Sequence, residues 1–482
     1  MRIAEPVATL ELTHRRVRKC FEAFAEQIDR RRFFRRGYLR ELIRRYAFYI
    51  EPGTSVLEVG VGTGDLLASL GASRAAGIDI CPEMIAAAKA RHPELELYEK
   101  SAEECSGLMG TFDYIVLSDL TVHLYDILQT LRGLQQFCHS RTRIIFNFHS
   151  RLWQPILSLL SALGMHHKHY RTNWITAADL TNLLSLAGFE ILKSDKSTLI
   201  PVGVPVVSSF ANRYLARLPV IRHLCLVNWI IARVAAEPVL GEPTVSVICP
   251  CRNEAGNIAS VISRLPNLGR HAELIFVEGG STDGTWEAIQ SAIASNGRTD
   301  IAIVAYRQFG RGKADAVRLG FQKAAGDVLM ILDADLSVAP EDLTAFFNVL
   351  KEGKGEFING SRLIYPMNDG AMRFLNLVGN KFFALVFSYL LDQSVKDTLC
   401  GTKVFTRADY ERIRTGAKYF GNFDPFGDFE LLFGAAKLNL KIVELPVRYR
   451  DRTYGSTNIS RFRHGWLLIQ MSVFGLRRLK FI

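Results

Sequence analysis

Four short apolar runs punctuate the first two hundred residues: SVLEVG, AAGIDI, FDYIVLSD and RTRIIFNF. Each has the length of a strand and shows no polar alternation, the pattern of a parallel strand covered on both faces. Between the runs, GDLLASLG and PEMIAAAKARH carry their apolar residues at helical spacing. From Tyr49 to about Leu199 the alternation predicts a βαβ series, hence a doubly wound α/β domain. A second series opens at TVSVICP and continues through ELIFVEG, IAIVAYR and DVLMILDAD. The stretch between them changes character. Pro201, Pro205, Pro219 and Pro238 interrupt it, and its apolar part reads as the end of the first domain plus a linker helix. The boundaries expected are a basic helical extension over 1–50, a first α/β domain over 51–200, a linker over 201–242 and a second α/β domain over 243–482.

Composition narrows the class. A chain of 482 residues with 48% apolar and 22% charged positions is globular, which excludes long disorder, collagen and a disulfide-stapled mini-protein. The eight cysteines are scattered without a Cys-x-x-Cys pair, which argues against a zinc ribbon and for a reducing, cytoplasmic setting. The first residues lack the apolar stretch of a secretory signal, and no run reaches about 18 uncharged apolar residues. The net charge of +11 calls for an anionic partner. Its densest part is Arg30 to Arg45, with eight arginines and one acid, Glu41, interleaved with Phe33, Phe34, Tyr38, Leu39, Leu42 and Ile43. Such a helix either lies on an anionic bilayer or caps the domain with a solvated arginine face. No nucleic-acid motif accompanies the charge, so no nucleic-acid partner is expected.

The first candidate chemistry lies in residues 56–123. Val56 to Gly64 ends a strand and opens a helix, and Gly60, Gly62 and Gly64 let the backbone turn tightly beside a ligand. Glu58 sits inside the strand end, and Asp79 ends the next strand, where a carboxylate can accept both hydroxyls of a ribose. Together these residues resemble the class I S-adenosylmethionine-dependent methyltransferase family over roughly residues 45–200. The resemblance implies that the glycine loop packs against the cofactor, with Glu58 beneath its amino-acid part and Asp79 on the ribose. It implies that Ser101 and Ala102 face the adenine, and that Asp119 stands where cofactor and acceptor meet. SDLTVHLYDI replaces the Asn-Pro-Pro-Tyr signature of nucleic-acid amino methylation, which favours a small molecule or a sugar as acceptor. His123 is either a general base for an acceptor hydroxyl or a loop residue.

The second candidate chemistry lies in residues 244–455, with further arginines just beyond. Pro250, Asn253 and Glu254 end one predicted strand, Glu278-Gly279-Gly280-Ser281-Thr282-Asp283 ends the next, and Asp333-Ala334-Asp335 follows the apolar run VLMIL. All three fall at strand carboxyl ends, where open α/β sheets bind ligands. Two carboxylates that close together suit Mg²⁺ or Mn²⁺ shared with phosphate oxygens. In this order the motifs resemble family 2 glycosyltransferases of the GT-A fold, over about residues 243–460, and most of all the branch of dolichol-phosphate mannose synthases. The resemblance implies that Pro250, Asn253, Glu254 and Glu278 line a nucleotide pocket, and that Asp333 and Asp335 handle the diphosphate and its metal. Glu278-Gly279 stands where the family usually has two aspartates, so the base preference does not transfer. Lys313, in the Gly310-Arg311-Gly312-Lys313 turn, either contacts phosphate or is a surface lysine. Asp428 matches an acceptor-side acid: a base for a hydroxyl acceptor, a positioning group for a phosphate, or simply a helix cap. Arg448, Arg450, Arg452, Arg461 and Arg463 flank a Gly-Ser loop and read as phosphate binders or as a basic surface.

The expectation is therefore a Rossmann-like methyltransferase followed by a GT-A glycosyltransferase, two doubly wound α/β domains in one chain. Its cofactors are S-adenosylmethionine and Mg²⁺ or Mn²⁺. Its partners are a nucleotide-sugar donor and a polyprenyl-phosphate or glycolipid acceptor, reached from the inner face of a membrane by peripheral association. The alternative is a glycosyltransferase whose first domain binds S-adenosylmethionine without reacting.

Overall fold

The computed structural model describes residues 10–25, 32–105, 107–162, 173–202, 204, 206–235, 241–362, 364–365, 374–420, 427–450, 454 and 461–482. The chain forms two compact units, Met1–Ala235 with Lys480–Ile482, and Ala236–Leu479. Each is built on one seven-stranded sheet.

In the first unit the strands are β1 (Ser55–Val59), β2 (Arg74–Asp79), β3 (Glu96–Glu99), β4 (Phe112–Ser118), β5 (Cys138–His149), β6 (Phe189–Ser197) and β7 (Val227–Val234). They lie in the order β3-β2-β1-β4-β5-β7-β6. β1 to β5 pair in parallel, and β7 runs antiparallel between β5 and β6. The strand order reverses between β1 and β4, and a crevice at their carboxyl ends is the expected ligand position. The four apolar runs of the sequence are β1, β2, β4 and β5.

Two boundaries differ from expectation. The segment 201–242 is not a linker throughout, because β7 lies within it and fills an interior place in the sheet, with Trp229 fully buried. Only an extended pairing on both sides satisfies the backbone there, and its partners are far away in sequence. The basic segment is not an extension either. The helix Arg32–Tyr49 buries Leu42, Tyr46 and Tyr49. These residues recur at helical spacing and form one stripe. Tyr46 and Tyr49 meet the Trp229 ring at 5.0 and 5.8 Å between centroids, and Trp229 Nε1 donates to Ser197 Oγ at 2.7 Å. Burying a Trp side chain in this way is worth about 3–5 kcal/mol against Ala.

The arginine run is correspondingly divided. Arg45 is buried, and its Nη1 donates to Asp195 Oδ2 at 2.7 Å, with Arg217 at 3.1 Å on the same oxygen. Burial pushes the Asp195 carboxyl up, but Lys480, Arg45 and Arg222 outweigh it and hold it down at about 2. Arg44 pairs with Glu41 at 2.6 Å. The side chains of Arg32, Arg35 and Arg36, and all of Arg30 and Arg31, lie outside the described residues.

In the second unit the strands are β8 (Thr244–Cys251), β9 (His271–Glu278), β10 (Ile301–Arg307), β11 (Val328–Ile331), β12 (Phe357–Ser361), β13 (Lys403–Thr406) and β14 (Ile442–Pro446). Their order is β10-β9-β8-β11-β13-β12-β14. β8 to β11 are mutually parallel, and β13 runs antiparallel to both β11 and β12. The reversal between β8 and β11 brings the Pro250, Glu278 and Asp333 segments to one edge. Among the described residues, no helix in either unit is long and apolar enough to cross a membrane.

Candidate active sites

The crevice of the first unit is lined by loops that the glycines make possible. Gly60 takes φ +79°, a conformation that favours glycine, and a Cβ there would stand 2.8 Å from Leu120 Cδ1. Gly62 also has positive φ, but nothing lies within 4 Å of where its Cβ would be, which leaves open space above the loop. Gly64, likewise at positive φ, precedes the short helix Asp65–Ala68. Asp79 ties the loop to β2: Oδ2 accepts from Gly62 N and Oδ1 from Cys81 N, both at 2.9 Å. Burial raises the Asp79 carboxyl, and these backbone donors pull against it.

Glu58 lies buried under this loop, and burial raises its carboxyl well above the usual range. Its Oε2 has no hydrogen-bond partner among the described residues. A buried acceptor left unmatched carries a desolvation penalty of about 1–3 kcal/mol. An ammonium group arriving above it would remove that penalty, so the residues present fit the amino-acid end of S-adenosylmethionine. Ser101 and Ala102 open a short helical turn after β3. Ser101 Oγ accepts from Glu103 N at 3.1 Å and donates to Glu103 Oε2 at 2.9 Å.

The helix Leu10–Ala25 lies over this part of the crevice. His14 Nε2 is 3.3 Å from Glu103 Oε2, and Phe21 packs on Cys81 and Met84. Phe21 also meets the His123 ring edge-on at 5.1 Å. Burial and the nearby His149 lower the His123 imidazole to about 4. A histidine in such a setting is neutral near pH 7 and a weaker proton acceptor than a solvated one.

The polar groups at the ends of β4 and β5 are more connected. The register pairs Ser118 with Asn147, which sets Asp119 beside Asn147 and His149. Asp119 has φ +52°, a conformation that costs a non-glycine residue about 1–3 kcal/mol. Its N–H donates to Asn147 O at 3.0 Å. Asn147 Nδ2 donates to Asp119 Oδ1 at 2.8 Å, and Tyr46 Oη donates to Asn147 Oδ1 at 2.6 Å. Tyr38 Oη donates to Asp119 Oδ2 at 2.9 Å and lies 3.3 Å from His149 Nε2. Sequence reasoning had Asp119 but missed Tyr38, Tyr46, Asn147 and His149. The signal available was the helical spacing of Tyr38, Leu42, Tyr46 and Tyr49.

In the second unit the ends of β8 and β9 are stitched together. Asn253, at φ +57°, accepts Thr282 N on Oδ1 at 2.9 Å and donates its own N–H to Ser281 Oγ at 3.0 Å. Glu254 is buried, accepts Asn257 Nδ2 at 2.7 Å and donates its N–H to Thr285 Oγ1 at 2.9 Å. Glu278 is buried too and accepts Ser281 N at 2.5 Å. Pro250 is half-buried in β8, opposite Val277. Tyr454 Oη donates to Asp283 Oδ2 at 3.3 Å. Asn253, Glu254 and Glu278 thus hold these loops together.

Asp333 and Asp335 follow β11. Asp335 is buried and accepts Ser337 N on Oδ1 at 3.0 Å. Asp333 is about a third exposed and pairs with Lys313 Nζ at 2.7 Å. Gly401 closes on this pair: a Cβ there would stand 2.1 Å from Asp333 Oδ2 and 2.4 Å from Lys313 Nζ. Gly401 belongs to a turn fixed by Asp397, whose carboxylate takes Arg362 Nε at 2.7 Å and Nη2 at 2.8 Å. Among the described residues, no three His, Cys, Asp or Glu side chains gather as a metal cage. Two hard carboxylates without further protein ligands fit Mg²⁺ or Mn²⁺ that completes its shell with phosphate oxygens and water. Asp428 begins the helix Asp428–Lys437, but its side chain lies outside the described residues, as do Arg452 and the side chains of Arg461 and Arg463. Of the other arginines there, Arg450 N donates to Ser337 O at 3.0 Å, beside Asp335, and the Arg448 guanidinium lies over the Tyr365 ring at 5.1 Å.

Comparison with known proteins divides along the same line. Residues 30–194 match a methyltransferase domain model, and residues 246–414 match the model for glycosyl transferase family 2. The glycosyltransferase AglJ of Haloferax volcanii is 32% identical over 231 residues, which cover 47% of this chain and 71% of AglJ. A dolichol-phosphate mannosyltransferase of Pyrococcus furiosus is 34% identical over 122 residues, 25% of this chain and 33% of that protein. Among solved structures, glucosyl-3-phosphoglycerate synthase of Mycobacterium tuberculosis, in complex with Mn²⁺, UDP and glucosyl-3-phosphoglycerate, aligns with a TM-score of 0.36 and 21% identity over 49% of this chain and 80% of its own.

Proposed function

This chain belongs to glycosyl transferase family 2 through its second unit and carries a methyltransferase domain in its first; from that premise we propose a bifunctional enzyme of glycan or glycolipid assembly. The second unit transfers a sugar from a nucleotide sugar to a polyprenyl phosphate, with inversion and with a divalent cation. The first transfers a methyl group from S-adenosylmethionine. The observation that carries the sugar-transfer reading is the Lys313–Asp333 pair beside Asp335 at the carboxyl end of β11, under Gly401. It sets one cation and two carboxylates at the switch point of the sheet, where a metal-bound diphosphate needs them.

A divalent cation there supplies charge neutralisation to the departing diphosphate. Asp333 and Asp335 hold it, and Lys313 is placed to exchange its carboxylate partner for phosphate. Pro250, Asn253, Glu254 and Glu278 shape the nucleotide side, and the phosphate-binding role of Arg452 is carried by its sequence motif alone. A polyprenyl phosphate is already an anion, so Asp428 positions it; a hydroxyl acceptor would need Asp428 as base. The acceptor class is supported by the relatives' own names, which include dolichol-phosphate and undecaprenyl-phosphate transferases.

Access to a lipid-borne acceptor is supported by two helices that pack together, Phe374–Leu391 and Arg461–Gly475. Phe382 and Leu385 on the first and Trp466, Ile469 and Val473 on the second are exposed. Apolar side chains of that size beside basic residues suit the interface of an anionic leaflet. The test is a thermal-shift screen of nucleotide sugars with and without Mg²⁺ or Mn²⁺, followed by transfer to a short polyprenyl phosphate. Stabilisation by one nucleotide sugar that depends on the cation, with a glycolipid product, is expected. Cation-independent binding, or hydrolysis with no lipid product, defeats this reading.

For the first unit, Glu58, Asp79 and the Gly60-Gly62-Gly64 loop hold the cofactor, with Ser101 and Ala102 at the adenine end. Once bound, the cofactor supplies an activated methyl group, and alignment of an acceptor supplies most of the remaining rate.

A further inference from the structure

The strand ends of the first unit carry a hydrogen-bonded chain that cofactor binding does not require. It runs from Tyr46, packed near Glu58, through Asn147 and Asp119 to Tyr38 and His149. Asp119 and His149 are 30% and 22% exposed, so the far end opens onto the crevice while the near end is buried. Tyr38 and Tyr46 come from one helix, locked by the Leu42 and Tyr49 packing that continues their stripe.

Each member has a distinct capacity. Burial and the charge of Asp119 raise the Tyr38 phenol well above its usual range, so Tyr38 keeps its proton and donates. Asp119 receives Tyr38 Oη and Asn147 Nδ2, one on each oxygen, and its strained backbone fixes where the carboxylate points. His149 Nε2 lies 3.3 Å from Tyr38 Oη and 3.8 Å from Asp119 Oδ1. An imidazolium formed at His149 would face a carboxylate, the arrangement that stabilises a base after it takes a proton. His123, the other imidazole of this crevice, sits against Phe21 instead.

We infer that His149 is the proton acceptor of methyl transfer, positioned by Tyr38 and Asp119, and that the acceptor is therefore a hydroxyl whose proton must leave. The inference rests on the methyltransferase reading of the first unit. The acceptor oxygen attacks the methyl carbon as the carbon–sulfur bond breaks, with that electron pair going to sulfur. The new bond is O–CH₃, and the hydroxyl proton passes to the His149 imidazole. An acceptor that is already anionic would need no such group and would meet Asp119 as a like charge.

Two measurements on the full chain test this. In the ligand-free protein with ¹⁵N-labelled histidine, Tyr38→Phe and Asp119→Asn should each shift the His149 ring nitrogens. Unchanged signals overturn the positioning. Next, methyl-labelled S-adenosylmethionine is offered with UDP-hexoses and 4-nitrophenyl hexosides, and cofactor affinity is followed in parallel by calorimetry. The expected result is an alkali-stable O-methyl product, lost about a hundredfold or more in His149→Ala, with cofactor affinity within about threefold of wild type. Added imidazole should restore the variant about tenfold. A His149→Ala protein of wild-type rate, an N-methyl product, or a wild type that binds cofactor yet labels no hydroxyl each overturns the inference. Failure of the wild type to bind cofactor instead removes the methyltransferase reading beneath it.

Discussion

The two crevices occupy equivalent places, at the carboxyl ends of central parallel strands, yet they are furnished in opposite ways. In the first unit, helices cover the strand ends, and among the described residues the two acids at the ends of β1 and β2, Glu58 and Asp79, have no cationic partner. Among the described residues, Glu58 is buried with an orphaned oxygen, and Asp79 is held by backbone N–H groups. In the second unit two acids near the strand ends carry cations, Asp333 with Lys313 and Asp397 with Arg362, while Glu254, Glu278 and Asp335 accept from neutral groups. A cationic cofactor with one small group to transfer asks for unpaired carboxylates and exclusion of water. A diphosphate asks for exchangeable cations around a pair of acids. The difference between an uncompensated Glu58 and a Lys313-paired Asp333 follows the charge of each proposed ligand.

Four experiments would break or sharpen that contrast. The largest effect is expected at Asp335. Asp335→Ala should reduce nucleotide-sugar cleavage about a thousandfold, or about 4 kcal/mol of transition-state stabilisation, while cofactor binding by the first unit stays unchanged. Undiminished turnover would remove Asp335 from the site.

Next is His123. Its folded-state value of about 4 lies below the ordinary 6.5 or so, so the unfolded chain binds a proton that the folded one does not. The stability from keeping the ring neutral is complete above about pH 6.5 and is lost as pH falls towards 4, to a total of about 3 kcal/mol. An NMR titration should show the His123 ring unprotonated at pH 6. A midpoint near 6.5 would mean that the His123 ring is not buried against Phe21.

Glu58→Gln comes third. It keeps the shape and removes the charge, and should weaken S-adenosylmethionine by about 2 kcal/mol, roughly thirtyfold by calorimetry. Equal affinity would show that the orphaned oxygen does not await an ammonium. The smallest effect is expected for Gly401→Ala, whose methyl group must displace Lys313 and Asp333. Both are flexible side-chain ends, so about tenfold slower sugar transfer is expected, with methyl transfer untouched. Equal loss in both reactions would contradict the independence of the two crevices.

Much of the frame was legible beforehand. Buried parallel strands leave unbroken apolar runs, which gave β1, β2, β4 and β5, and later β8 to β11. The Gly60-Gly62-Gly64 loop and the Asp333-Ala334-Asp335 turn announced themselves because conformational freedom and paired charge leave their marks within a few residues. What was not legible depended on distant partners. β7 was obscured by the prolines on either side of it, and only its place between β5 and β6 makes it an interior strand. His123 follows β4 in the sequence, but its contact with Phe21 and its burial come from a helix about a hundred residues earlier.

By itself, then, the sequence determined where backbone turns sharply, where apolar runs must be covered and which acids reach strand ends. These are local properties, set by the residue types and their spacing. Only the tertiary structure decided which of those groups stay charged, paired or orphaned. That choice depends on desolvation and on partners brought from elsewhere: Tyr38 to Asp119 across 81 positions, and Arg45 to Asp195 across 150. Composition counts such charges, but burial decides what each one does.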